Sequence, residues 1–120
     1  MGRKLQKFED LIAWQKGQDL AVLVYELMIQ CRDYSFKDQI CKASVSVSNN
    51  IAEGFERSTD SQFSQFLDYA KGSCGEVKSM AYLAKRLKFI SETQSNQLIS
   101  LCDEVSRILF ALMQVIKNSK

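Results

Sequence analysis

The amino-acid sequence predicts an all-α fold, an antiparallel up-down-up-down four-helix bundle forming one domain over residues 1–120. Three observations carry that reading. Apolar residues recur at steps of three and four along four separate stretches, the period of a helix with one buried face. The chain holds no Pro, so no helix interior is broken. Short polar segments rich in Ser, Thr and Asp stand between the stretches, where N-caps belong. Connections this short make neighbouring helices run antiparallel.

The first helix is expected over roughly 10–32, with a seam of Trp14, Gly17, Ala21, Val24, Met28 and Cys31. Asp33, Tyr34 and Ser35 separate it from the second, expected over 35–57 with Ser35 as its N-cap. The second seam is Phe36, Ile40, Ala43, Val47, Asn50 and Gly54. Within it, Ala43 to Ser48 alternates apolar and polar like a short strand, but the helical period runs through it on both sides, so it is read as helix. Ser58 to Asp60 offer caps for the third helix, expected over 60–89 with a seam of Phe66, Ala70, Ser73, Val77, Met80, Ala84 and Leu87. Ser91 precedes the fourth, expected over 92–117 along Leu98, Leu101, Val105, Ile108, Leu112 and Val115. Glu92 in its first turn suits the helix dipole.

The first helix is apolar over too wide an arc. At about 100° per residue, Val22, Tyr25 and Ile29 flank the seam on one side and Leu20, Leu23 and Leu27 on the other. Together they span well over ~200°, about twice what packing inside one bundle requires. Two such rows predict an interface, hence a homo-oligomer.

Composition excludes several activities. With 46% hydrophobic and 25% charged residues the chain is globular in type rather than disordered. The longest purely apolar run is six residues, as at Leu20 to Tyr25, far below the ~20 that cross a membrane. The N-terminal residues are basic with no apolar stretch behind them, so no signal peptide is expected and the expected compartment is the cytoplasm. The absence of His removes the usual general base, the partner of Ser and Cys nucleophiles, and the His ligands of haem and di-iron bundles. Cys31, Cys41, Cys74 and Cys102 are at least ten residues apart, which offers no local zinc-ligand spacing and predicts four small buried apolar residues. No metal, cofactor or catalytic residue is expected. Glu53 and Glu76, the most plausible acid/base pair, are lone acids on separate helices.

Two polar residues occupy seam positions, Asn50 and Ser73, and buried polar groups need partners. Antiparallel pairing about a turn near residue 59 brings Asn50 towards Tyr69–Ser73 and Glu76 towards Gln39 or Lys42. Gly72 and Gly75, unfavourable in a helix by about 1 kcal/mol each, are expected to let helices approach closely there. The set Gln39, Lys42, Asn50, Glu53, Gly54, Gly72, Ser73 and Glu76 is read as a polar clasp that sets helix register. A ligand pocket centred on Asn50, Glu53 and Glu76 is the alternative.

Around these residues the chain resembles a known family. Phe8 to Lys16 (FEDLIAWQK), Gln39 to Ser44 (QICKAS), Asn50 to Gly54 (NIAEG), and Phe66 to Ser73 (FLDYAKGS) followed by Glu76 are similar to the small four-helix-bundle proteins encoded within intervening sequences of bacterial 23S ribosomal RNA genes. The likeness runs from Phe8 to about Ile116. It implies a homopentameric ring and a ribosomal RNA setting. The accessory protein of diversity-generating retroelements resembles this family in fold, and it binds a reverse transcriptase and nucleic acid through a basic surface.

The chain is close to neutral, at +2, and the excess lies wholly in 60–90, with five basic residues against three acidic. Lys71, Lys78 and Lys85 recur every seven residues beside the seam, followed by Arg86 and Lys88. This stripe, some 20 Å long, is the candidate phosphate-binding surface, and Arg3, Lys4 and Lys7 add a small basic tail. Nothing in the spacing of aromatic residues around it points to base stacking. The expected function is a non-catalytic oligomer that contacts structured RNA, ribosomal RNA included, or an RNA-associated protein. The alternative is a protein-interaction scaffold without nucleic acid.

Overall fold

The computed structural model describes residues 7–119; Arg3 and Lys4 lie outside them. Among the described residues the protein is helical throughout, with no strand. A 3-10 turn, Phe8–Asp10, leads into α1 (Ile12–Leu27), α2 (Tyr34–Phe55), α3 (Asp60–Arg86) and α4 (Glu92–Lys117). The helices form a rod of 49 × 20 × 19 Å. In it α1 packs on α2 and α4, α2 on α3, and α3 on α4, around one core.

Side chains cap the starts of α2, α3 and α4. Asp33, rather than Ser35, caps α2: its Oδ1 accepts the Phe36 N–H at 3.0 Å. Asp33 sits in extended backbone immediately before the first helical residue, the geometry an N-cap needs, whereas Ser35 is already helical. Thr59 accepts from the Gln62 N–H at 3.1 Å. Ser91 and Gln94 form a reciprocal capping box at 3.1 and 2.9 Å.

Two helices end earlier than their periodicity suggests. After Leu27 the chain tightens into a turn over 28–30, with the Cys31 N–H donating to the Met28 carbonyl at 3.0 Å, so 28–32 lies outside the helix. After Arg86, Lys88 takes a left-handed φ of 64° and the Phe89 N–H reaches back to the Ala84 carbonyl at 2.9 Å. That is a Schellman ending, and the apolar residue it delivers, Phe89, packs edge-on against Phe36 at 5.1 Å.

The stretch 43–48 is helical because its serines find partners. Ser44 Oγ donates to the Cys41 carbonyl, Ser46 Oγ meets Ser73 Oγ at 2.9 Å, and Ser48 Oγ accepts from Gln18 Nε2 at 3.0 Å. In three helices the buried face keeps part of the expected seam (Gly17, Val24 and Met28; Ala70, Val77, Met80 and Ala84; Leu98 and Val105) and is turned from it by less than one residue. In α1 the core residues are Ala13, Gly17, Leu20 and Val24, continued by Met28 just past its end, while Trp14 and Ala21 are half-buried flanks. In α3, Phe63, Leu67 and Cys74 are buried, Phe66 and Ser73 sit at the edge of the core, and Leu87, just past its end, is exposed. In α4, Cys102 and Leu109 are buried and Val115 is exposed. A helix packed on two neighbours centres its buried arc between the two contact lines, so one edge of each seam gives way to residues on the other side. All four cysteines are free and buried, and burial raises the Cys41 pKa.

Candidate nucleic-acid interface

The helical repeat places Lys71, Lys78 and Lys85 on one flank of α3, and that flank faces α4. Lys78 Nζ contacts Asp103 Oδ1 at 2.7 Å, and Lys85 Nζ lies 3.9 Å from Glu92 Oε2. The hydrogen bond to Asp103, with its charge, holds the Lys78 amine above its ordinary pKa. Both pairs are partly solvated, so they trim the local charge more than they add stability. Arg86 is the last residue of α3, one ~100° step away from Lys85, and the left-handed Lys88 lies beyond the helix end, so neither continues the stripe. Lys7 is exposed before the first turn.

Two residues that sequence reasoning missed adjoin the stripe. Arg107 and Phe110 of α4 line a groove of about 470 Å³ together with Lys71, Asp103 and Ser106. Their three-residue spacing puts them on one face of α4. Only the packing of α4 on α3 reveals that this face meets Lys71, so no local signal announces it.

The polar residues between α2 and α3 are joined through a residue the sequence reading did not single out. Ser46 accepts from the Asn50 amide at both its carbonyl and its Oγ, each at 2.8 Å, and its Oγ meets Ser73 Oγ. Asn50 therefore connects to Ser73 through Ser46, and both lie at the rim of the core rather than inside it. Gln39 Nε2 donates to Glu76 Oε2 at 3.3 Å, while Lys42 turns instead to Asp38 at 3.2 Å, one helical turn earlier on α2. Glu53 pairs with Arg57 at 2.8 Å, and the Arg57 guanidinium lies 4.8 Å over the Phe66 ring. Because Gln39 meets Glu76 while the neighbourhood of Glu53 and Gly54 meets Phe66, Glu53 and Glu76 are separated along the helices and do not share one pocket. Of the clasp glycines, Gly54 is the one at a close helix approach. Gly72 and Gly75 are not: both are exposed, with nothing within 4 Å of an added Cβ, because they lie on the outer side of α3.

The apolar face of α1 is divided. Leu20 is fully buried at 0% exposure and belongs to the protomer's own core, because it lies between the contact lines to α2 and α4. Leu23 and Leu27 are half-buried against that core. Val22, Tyr25 and Ile29 remain exposed, Ile29 at 67%, and Tyr34 at the start of α2 joins them. A groove of about 530 Å³ runs between Tyr25 and Tyr34 and is lined also by Lys37, Asp38 and Cys41.

Among the described residues no helix is long and apolar enough to cross a membrane. A family model described as "23S rRNA-intervening sequence protein" matches residues 9–111. Among solved structures, the chain is similar to a crystal structure of a protein of unknown function from the S23 ribosomal protein family of Bacteroides thetaiotaomicron. The TM-score is 0.80 at 19% identity, over 85% of this chain and 98% of that one, a likeness of fold. No curated protein matches.

Proposed function

The chain belongs to the 23S rRNA-intervening sequence protein family, and from that premise we propose that it is a non-catalytic, cytoplasmic homo-oligomer that binds structured RNA through the α3–α4 face. The bundle runs up-down-up-down, a reading supported by contacts in which α2 positions rise, 39, 46 and 54, as their α3 partners fall, 76, 73 and 66. The exposed row of Val22, Tyr25, Ile29 and Tyr34 supports assembly, and the ring of five rests on the family resemblance. The observation that carries the RNA reading is the row of Lys71, Lys78 and Lys85 along one flank, extended across the groove by Arg107. Repeated around a ring, these cations bind phosphates with little regard to sequence and with steep salt dependence.

A salt titration against a structured ribosomal RNA fragment tests this. The double change Lys78→Glu/Lys85→Glu is expected to weaken binding with assembly intact. It should also flatten the log–log salt slope by about one for each phosphate that the protein no longer neutralises. One observation favours a second reading, a protein scaffold without nucleic acid: Lys78 and Lys85 already have acidic partners. Absence of wild-type RNA binding at low salt decides for it.

A further inference from the structure

The groove between α3 and α4 joins two uncompensated cations to an exposed aromatic ring. Asp103, its one acid, is held by Lys78 at 2.7 Å. Lys71 and Arg107 on its walls then have no ion-pair partner among the described residues. Beside them Phe110 is 53% exposed. An exposed aromatic residue by itself is ordinary. Here the ring shares one open surface groove of about 470 Å³ with a lysine, an arginine and the Ser106 hydroxyl.

From this juxtaposition we infer that the groove is a stacking subsite for an unpaired nucleotide of single-stranded RNA. It rests on the RNA-binding reading above and specifies what part of the RNA this face takes. The Phe110 ring offers its face to a base, and the flat Arg107 guanidinium is suited to the same stack. Lys71 neutralises the adjoining phosphate, and the Ser106 hydroxyl, which both donates and accepts, fits a ribose 2′-OH. A paired base has its faces covered by its neighbours in the duplex, so the occupant is a loop, bulge or free strand. Tyr82, equally exposed and one turn beyond Lys78 on α3, provides a second aromatic surface along the same flank. The net positive charge selects a nucleic acid over an acid-poor protein segment.

The test uses the full chain and two labelled probes, a short oligouridine and a duplex RNA of matching length, each titrated across salt by fluorescence anisotropy. Phe110→Ala is expected to weaken oligouridine binding about tenfold. It should leave duplex binding and the salt slope unchanged, and Phe110→Trp should retain the wild-type affinity. Lys71→Glu/Arg107→Glu should weaken both probes and flatten the slope. Unaltered oligouridine binding by Phe110→Ala overturns the subsite and leaves the RNA-binding reading standing. An equal loss on both probes also overturns it, since stacking acts only on the unpaired strand. If wild-type protein binds neither probe, the RNA-binding reading and the subsite fall together.

Discussion

A Cβ added to Gly54 would sit 2.6 Å from the Phe66 Cβ and 3.2 Å from Phe63 Cδ1, closer than the α2–α3 contact tolerates without a shift. Elsewhere in a helix Gly→Ala gains up to about 1 kcal/mol, but here the clash reverses the sign. Gly54→Ala is expected to lose about 1–3 kcal/mol in denaturant melts at fixed protein concentration. Gly72→Ala, whose Cβ meets open space, should gain about 0.5–1 kcal/mol in the same assay. Opposite signs from one chemical change separate a packing glycine from a merely exposed one. Sequence reasoning assigns close approach to Gly72 and Gly75 because their helical cost is visible in the chain and the direction they face is not. The clasp shows the same limit. Asn50 and Ser73 are legible as polar residues near a seam, yet their link, Ser46, looks like one more serine in an alternating run.

Helix boundaries are a local matter, and their errors are local too. Asp33 holds the N-cap of α2 through a 3.0 Å bond to Phe36 N–H, so Asp33→Ala should cost about 1 kcal/mol in a thermal melt while Ser35→Ala costs little. At the far end of α3, Lys88 bears a left-handed backbone that glycine adopts without a Cβ penalty. Lys88→Gly is therefore expected to stabilise by roughly 1 kcal/mol in the same thermal melt. The cap signals at Thr59 and Ser91 are readable because a cap needs only a few consecutive residues. The rotation of each helix is not readable to one residue. In α1 the apolar arc is so wide that Leu20 and Ala21 are equally good centres by periodicity, and only the positions of α2 and α4 choose Leu20.

For the whole molecule, the exposed row on α1 gives the sharpest prediction. Light scattering of the wild-type chain at micromolar concentration should give a multiple of 13.7 kDa. Val22→Glu/Ile29→Glu should shift it to the single-chain mass with helicity retained, because both side chains lie outside the protomer's core. A wild-type mass of one chain would refute assembly through this face. Leu20, which the sequence assigns to the interface on the other flank of α1, is unsuitable for that test, since a charge there would enter the core. Four helices, their order and most of their caps were determined by the sequence alone, because hydrophobic period and capping act within a few turns of chain. The spacing of Lys71, Lys78 and Lys85 is equally local. Their neighbours Asp103, Glu92, Arg107 and Phe110 come from a different helix, and a rotation of one residue would have turned the lysines away from them. Which flank meets which is decided by burying all four apolar faces at once. The charge and chemistry of the α3–α4 groove therefore exist only once the tertiary packing does.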